Sequence, residues 1–261
     1  MISTGTIALM ILDVVLGFAV PICLAWWMIR KYKVRLSTIL IGAATFIVFA
    51  LVLDALVHRI VLSGARGEVI QGKTLYFALY GGLMAGLFEE TGRFLSMKYL
   101  LKKEPTTVKP ALAYGIGHGG VEMIILFGFT MISLLTMAVM VKSGQTDTLL
   151  SKVPADAQGQ IQATITQLTD SGAEDWLMGL WERISAILLH LSLSILVWAA
   201  VRKGGKWLWL FPAAILLHAL VDGLAVVLSK SASIPATEAI IFAMAIAIAG
   251  LAYMVARRIS S

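Results

Sequence analysis

Long apolar stretches recur along this 261-residue chain, and each is close to the length at which a helix crosses a lipid bilayer. An α-helix needs about 20 apolar residues to span a hydrocarbon core roughly 30 Å thick. Hydrophobic residues make up 59% of the chain and charged residues 14%, which excludes an ordinary soluble domain. We therefore predict an all-α, polytopic membrane bundle with about seven transmembrane helices, at residues 6–29, 36–61, 75–100, 110–141, 175–201, 207–228 and 236–256.

The rest of the chain is short loops and one longer connection. We expect a single integral membrane domain over residues 1–261, because no internal repeat or appended soluble domain stands out. The longest polar connection, about residues 142–174, joins the fourth and fifth spans. In it Ile161, Ile165 and Leu168 recur at helical spacing, which predicts a surface helix.

Basic residues predict the orientation of the chain, because cytoplasmic loops of membrane proteins are enriched in Lys and Arg. Alternate loops hold thirteen basic residues on one side and five on the other. With an odd number of spans, this places the N-terminus and residues 142–174 outside and the C-terminus in the cytoplasm. The net charge of +6 then reflects topology and anionic headgroups, so we expect no nucleic-acid partner.

Four of the predicted spans carry ionisable residues, which are costly in a bilayer and normally face a bundle interior where they serve a function. At 1.5 Å per residue, the first Glu of the third span and three histidines lie roughly 12–17 Å from the cytoplasmic ends of their spans, so we expect them to meet. The residues are Glu89, Glu90 and Arg93 in the third span, His118 and Glu122 in the fourth, Glu182, Arg183 and His190 in the fifth, and His218 and Asp222 in the sixth.

Spacing within the spans supports this grouping. His118 with Glu122, and His218 with Asp222, are four residues apart and so lie on one helix face. Glu182 lies about two turns nearer the outside than His190, so Glu182 with Arg183 is expected to be a local structural or entrance pair.

A further one-turn pair, Asp54 with His58 near the outer end of the second span, predicts an interfacial hydrogen bond.

Small residues predict close packing around the same centre. Gly82 and Gly86 form a small-xxx-small pair in the third span. Four glycines at positions 115, 117, 119 and 120 flank His118, which predicts close backbone approach and a locally irregular helix. Pro212, six residues before His218, predicts a kink in the sixth span.

The clustered acids and imidazoles can activate water for hydrolysis in two ways, which the residues alone leave open. In the first, a carboxylate takes the proton of a water held by an imidazole, and His190, or His218 with Asp222, stabilises the oxyanion. In the second, His118, His218 and the carboxylate of Glu89 bind zinc, because catalytic zinc uses three protein ligands and a water. No other cofactor is expected.

Four segments occur in a characteristic order. They are Glu-Glu-Thr-Gly-Arg from Glu89, Tyr-Gly-Ile-Gly-His-Gly-Gly-Val-Glu from Tyr114, Trp-Glu-Arg from Trp181 followed by His190, and His-Ala-Leu-Val-Asp from His218. In this order and combination they resemble the YhfC family of bacterial intramembrane metalloproteases. That family is related to the CAAX protease and bacteriocin-processing superfamily and to the PrsW-type proteases.

The resemblance implies a multi-pass protein of the bacterial plasma membrane that hydrolyses a peptide bond in a membrane-embedded or membrane-adjacent substrate. It implies that Glu89 with His118 activates the attacking water. Glu90 with Arg93 would organise the site. His218 with Asp222 would bind metal or hold the oxyanion. The remaining candidates have supporting or shared roles: Tyr114 matches the aromatic residue four before the family's His, Glu122 would orient His118, and His190 is a further catalytic candidate.

Two departures from the CAAX-processing enzymes bear on this assignment. Arg93 stands one residue nearer the Glu pair than it does in those enzymes, and Asp222 stands where they carry Asn. Neither their substrate nor their metal-free mechanism is therefore carried over.

Two other functions remain open. The same buried carboxylates and histidines would suit a polytopic transporter or an ion- or proton-conducting protein, although no inverted repeat with paired broken helices is evident. An inactive relative would bind membrane peptides without cutting them. The three alternatives differ in whether Glu89 is needed for cleavage, for ion flux or for neither.

Overall fold

A computed structural model describes residues 2–260, apart from the side chains of residues 173, 174 and 260; the ends of the expected 1–261 domain, Met1 and Ser261, lie outside the described residues. This part of the chain is helical and contains no strand, which confirms the all-α prediction. The helices are α1 (Thr4–Tyr32), α2 (Leu36–Val61), α3 (Gly64–Gln71), α4 (Thr74–Leu95), α5 (Lys109–Lys142), α6 (Thr146–Ser151), α7 (Gln158–Asp170), α8 (Ala173–Lys203), α9 (Leu210–Ser231) and α10 (Ile234–Ser260).

Six of the described helices are long and apolar enough to cross a membrane, so the chain is a multi-pass membrane protein. They are α1, α2, α5, α8, α9 and α10. Helix α4 has 22 residues and is about 33 Å long, but it carries Glu89, Glu90 and Arg93 and is not among these six. The count of seven spans and the orientation of the termini therefore stay predictions.

Helices α4 and α9 pack closely because glycines face the contact. A Cβ added to Gly82 would overlap the carbonyl oxygen of Ala219, and one added to Gly86 would lie 2.5 Å from the carbonyl oxygen of Ile215. Only residues without a side chain allow this approach. The predicted small-residue packing is confirmed, and it brings the carboxylate end of α4 beside α9.

A second set of glycines packs α5 between α2 and α8. A Cβ on Gly117 would overlap the carbonyl oxygen of Ile39 on α2, and one on Gly119 would lie 3.1 Å from Cβ of His190 on α8. The glycine segment itself is regular α-helix from Lys109 to Glu122. The prediction of an irregular helix around His118 is therefore wrong, because its glycines accommodate neighbouring helices, and the π-helical turn follows at Met123–Gly128.

Helix α8 forms the centre of the bundle. Its residues Leu193, Leu196, Val197 and Trp198 are fully buried, and α10, α5, α9 and α1 pack around it. A polar residue in the C-terminal half of this helix is consequently shielded from lipid. His190, one turn before Ser194, is 3% exposed.

The connection between α5 and α8 contains two helices. Helix α7 is the helix that the sequence predicts around Ile161, Ile165 and Leu168, and its Ile165 and Leu168 are buried. Leu168 packs with Met10 of α1 and Trp176 of α8. The predicted helix is confirmed, and its apolar face closes one end of the bundle.

Pro212 does not interrupt the sixth apolar segment, as the predicted kink would require. It is the third residue of α9, and a short 3-10 turn at Gly205–Trp209 precedes it. N–H groups in the first turn of a helix have no intrahelical acceptor, so the missing N–H of proline costs nothing there. Pro212 therefore helps to begin α9.

Candidate metal centre

Two adjacent carboxylates of α4 contact different histidines. Oε2 of Glu89 lies 2.9 Å from Nε2 of His118 on α5, and Oε1 of Glu90 lies 2.9 Å from Nδ1 of His218 on α9. Successive side chains of a helix point about 100° apart, so the two adjacent glutamates contact two different helices, α5 and α9. The Glu-Glu pair thus joins three helices at one level.

Arg93 connects this pair to the central helix. Its Nε lies 3.1 Å from Oε2 of Glu90, one turn away on α4, and both side chains are fully buried. Its Nη1 donates to the carbonyl oxygen of His190, at 2.7 Å, and to Oγ of Ser194, at 2.6 Å. One buried guanidinium therefore neutralises Glu90 and positions the backbone that carries His190.

The contact with Arg93 also determines which ring nitrogen of His190 carries the proton. Nη2 of Arg93 lies 3.1 Å from Nδ1 of His190, and because arginine can only donate, Nδ1 accepts. The N–H of the neutral ring is then on Nε2, which lies 2.5 Å from Oε2 of Glu122. Glu122 thus contacts His190, whereas the sequence predicted that it would orient His118.

Glu122 is held in turn by Arg183. Nη1 of Arg183 donates to Oε1 of Glu122 at 3.2 Å, and the same guanidinium contacts Glu182. The Glu182 and Arg183 pair was expected to be local because its depth differs from that of His190 by two turns. The long arginine side chain spans that difference, so the pair extends the site towards the surface.

His218 lies between two carboxylates. Its Nδ1–H donates to Glu90, and its Nε2 lies 3.4 Å from Oδ2 of Asp222, four residues later on α9. Glu90 is fully buried, whereas 40% of the Asp222 side chain is exposed. The expected one-face pairing of His218 with Asp222 is therefore present in the structure.

The three rings lie next to one another. The ring centroids of His118 and His190 are 4.9 Å apart, and those of His190 and His218 are 5.5 Å apart. Tyr114 is fully buried one turn before His118, with its ring centroid 5.9 Å away and the Arg93 guanidinium at the same distance. The structure thus brings together the predicted site residues of four helices.

Three of these side chains could hold a metal ion. One ligand atom from each of Glu89, His118 and His190 lies within 4.8 Å of the other two, and all three residues are buried. Two imidazoles and a carboxylate are a donor set found at catalytic zinc sites, with a fourth position for water. The predicted ligand set contained His218 in place of His190. Within the described residues, His218 contacts Glu90 and lies outside this group.

Glu89 and His190 of this group line a cavity of about 130 Å³. Its volume is enough for several water molecules, each of which takes about 30 Å³ in the liquid. Its lining includes Glu89, Glu122, His190, His218, Asp222, Arg183 and Glu238. A water or a substrate group in this cavity would touch both the Glu89 group and the His218 group.

The Asp54 and His58 pair lies apart from this cavity. Nε2 of His58 lies 3.5 Å from Oδ2 of Asp54, and its Nδ1 lies 2.9 Å from the hydroxyl of Tyr80 on α4. The predicted one-turn contact is present, with Tyr80 as a third member. It connects the C-terminal part of α2 to α4.

Comparison with known proteins agrees with the resemblance based on the four segments. The family described as YhfC intramembrane metalloprotease matches residues 16–245. The protein is 38% identical over 224 residues to the "Uncharacterized membrane protein YhfC" of Bacillus subtilis (strain 168), which covers 85% of this chain and 84% of that protein. No solved structure matches the chain. The match over most of its length and the identity to this relative show that the chain belongs to the YhfC intramembrane metalloprotease family.

Proposed function

We propose that the chain is an intramembrane peptidase of the bacterial plasma membrane, which hydrolyses a peptide bond of a membrane-embedded or membrane-adjacent substrate. The observation that carries this proposal is the 2.9 Å contact between Glu89 and His118, buried beside His190 at the wall of a cavity. The description of the family as an intramembrane metalloprotease supports the same class of reaction.

Glu89, His118 and His190 would hold the metal, for which zinc is the best candidate given two imidazoles and one carboxylate. His190 would use Nδ1, where the metal would replace the contact with Nη2 of Arg93, while Nε2–H keeps its contact with Glu122. A divalent ion bound there would supply Lewis-acid polarisation of water and of the peptide carbonyl.

Glu89 is the proton acceptor in this proposal. Its Oε2 is engaged with His118, or would be engaged with the metal when one is bound, so its other oxygen is left to take a proton from a water in the cavity. The same carboxyl group then returns the proton to the amine of the leaving peptide, as general acid–base catalysis of peptide hydrolysis requires. A buried carboxylate suits this exchange because little bulk water competes for its proton.

His218 would stabilise the oxyanion. Its Nδ1–H donates to Glu90, which fixes the ring, and in the doubly protonated ring an Nε2–H would face Asp222 and the cavity as the donor. A donor held in place before the reaction stabilises developing negative charge without having to reorganise. Arg93 maintains this arrangement because it binds Glu90 and His190 together.

The test is cleavage by the purified chain in detergent, mixed with solubilised bacterial membrane proteins, with new peptide N-termini identified by mass spectrometry. Changing Glu89→Gln keeps the size of the side chain and removes its basicity, so we expect cleavage to fall by about 10²-fold or more. Glu68→Gln on the exposed helix α3 is the matched control and should leave cleavage unchanged.

Other results would favour the alternatives. New termini that persist in the Glu89→Gln variant would remove the assigned base. Ion flux in proteoliposomes that is lost in this variant, with no cleavage by the wild type, would support transport. Capture of peptides without cleavage by the wild type would indicate an inactive relative.

A further inference from the structure

A second cavity, of about 470 Å³, lies between α1, α5, α7 and the first turns of α8. None of the residues that line the cavity at the metal centre lines this one. Along α5, its lining residue Met131 is 13 residues beyond His118, a distance of roughly 20 Å. The second cavity is therefore separate from the proposed site of hydrolysis.

Asp13 is the polar residue that most distinguishes this cavity. It is the sole acidic residue of α1, it is 2% exposed, and it lines the cavity. Its Oδ2 has no hydrogen-bond partner among the described residues. A carboxylate in a membrane-spanning helix is costly to maintain, and the cost is greatest where no partner compensates it. Asp13 therefore indicates that the cavity binds a ligand whose polar group pairs with this carboxylate.

Trp176 of α8 presents a second unsatisfied group to the same cavity. It is 8% exposed, and within the described residues its indole Nε1–H has no acceptor. An indole nitrogen is a donor only, and buried tryptophans normally find an acceptor. The cavity thus offers one acceptor and one donor that are both buried and both free.

The remaining lining is acidic, apolar or neutral and polar, the last group being Thr164, Gln167 and Ser171. Asp170 and Asp175 lie at the α7 end, where Asp175 is engaged by the backbone N–H of Gly172 at 3.0 Å. No Lys or Arg is found among the described lining residues. Nζ of Lys142, at the end of α5, donates to the carbonyl oxygen of Ile2 at 2.9 Å. The charge in this cavity is consequently negative.

The apolar part of the wall consists of large side chains from four helices. They are Phe127, Met131 and Leu134 of α5, Leu168 of α7, Trp176 of α8 and Ile234 of α10. A bare Ca²⁺ or Mg²⁺ ion binds within a shell of oxygen ligands, whereas most of the surface of this lining is apolar. An aromatic and aliphatic wall around one buried carboxylate instead suits an organic cation, because aromatic rings attract cations and the wall covers an apolar body.

We propose that this second cavity binds an organic cation, a primary ammonium group on an apolar body, with the ammonium group donating to Asp13. An oxygen of the ligand accepts from Nε1 of Trp176. The volume lies within the range of about 300–1,000 Å³ typical of small-molecule pockets. Helix α7 forms one wall of the cavity, so the connection between α5 and α8 would help to enclose the ligand.

The probe for this site is dansylcadaverine, a fluorescent primary amine with an apolar ring system, titrated into the purified chain in detergent. Its N-acetyl derivative has the same body without the charge and should bind about tenfold more weakly or worse. Asp13→Asn should weaken binding of the amine by at least a similar factor. Asp54→Asn, a buried acid on α2 outside the cavity, is the matched control and should leave the affinity unchanged.

Glu89→Gln should also leave the affinity unchanged, since the two cavities share no lining residue. Equal affinity for the amine and its acetyl derivative, or unchanged binding in a folded Asp13→Asn variant, would overturn the proposal.

A measurement on the wild type covers the case in which Asp13→Asn does not fold. Dicyclohexylcarbodiimide labels buried carboxyl groups, and the label on Asp13 is quantified by mass spectrometry. Dansylcadaverine should protect Asp13 from labelling, and its acetyl derivative should not. Absence of protection by the amine at saturating concentration would contradict the proposed site.

Discussion

Oε2 of Glu89 lies 2.9 Å from Nε2 of His118, so α4 and α5 are joined by a direct carboxylate–imidazole contact inside the bundle. His190 is the second ring within reach of this pair, whereas His218 is bonded to Glu90. The adjacent glutamates thereby divide the three histidines into two groups. This division can be tested one ring at a time.

Metal content should follow the division of the histidines. We expect His118→Gln and His190→Gln to lose a bound metal, because both rings belong to the group whose ligand atoms lie within 4.8 Å of one another. His218→Gln should retain it. His58→Gln, in the contact between α2 and α4, is the control and should also retain it. Elemental analysis of folded, detergent-purified variants measures the metal per chain.

The reverse pattern would be equally informative. Metal lost in His218→Gln and kept in His190→Gln would support the ligand set of His118, His218 and Glu89 that the sequence predicts. A folded wild type that takes up no zinc would favour a hydrolytic mechanism that uses Glu89 and His118 without metal.

Arg93 should be among the residues on which the stability of the fold depends most. Changing Arg93→Gln leaves the fully buried carboxylate of Glu90 without its ion pair, and breaking a buried pair by removing one partner costs about 3–5 kcal/mol. Arg35→Gln is the matched control, because Arg35 pairs with Glu104 at 3.5 Å while 66% of its side chain is exposed. An exposed pair contributes about 0–1 kcal/mol.

Thermal unfolding in detergent compares the two variants. The midpoint should fall much further for Arg93→Gln than for Arg35→Gln. Equal midpoints would mean that Glu90 finds another partner, and the role of Arg93 as the connector between α4 and α8 would be wrong.

Much of the fold is predictable from local pattern. Apolar length alone locates the six helices that are apolar enough to cross a membrane, and the 3.6-residue period of Ile161, Ile165 and Leu168 predicts α7. Local irregularity is less predictable. Glycines beside His118 and a proline before His218 read as helix breakers in isolation, yet both fit regular helix once the neighbouring helix or the helix start is known.

The sequence predicts which residues form the site better than it predicts which of these residues contact each other. Depth along each span predicts that Glu89, His118, His190 and His218 meet, and their contacts in the structure agree. Which histidine faces which carboxylate depends on the rotation of each helix about its axis, and a depth estimate carries no information about rotation. The link from Arg183 through Glu122 to His190 escaped the prediction for a related reason, since depth measured at Cα ignores the length of an arginine.

Two adjacent glycines of α4 offer a controlled test of its packing against α9. A Cβ on Gly82 would overlap the carbonyl oxygen of Ala219 and lie 2.8 Å from N of Gly223, whereas one on Gly81 would meet nothing within 4 Å. We expect Gly82→Ala to destabilise the chain by about 1–3 kcal/mol through overpacking. Gly81→Ala should be neutral or stabilising by up to about 1 kcal/mol, because alanine favours helix.

Unfolding midpoints of the two glycine variants provide the comparison. Because Gly82 faces the helix that carries His218, the Gly82→Ala variant should also cleave substrate more slowly. A Gly82→Ala variant as stable as Gly81→Ala would show that α4 and α9 do not approach as closely as described.

Glu122 should act on metal binding through His190. Its Oε2 lies 2.5 Å from Nε2 of His190 while Arg183 binds its other oxygen, so it orients the ring. Losing a partner that orients a ligand typically lowers metal affinity about 10–100-fold, and we expect this loss in Glu122→Gln. Glu182→Gln is the matched control, because Glu182 contacts the same arginine but 47% of its side chain is exposed. Zinc competition with a chelator measures both affinities, and equal values would contradict a positioning role for Glu122.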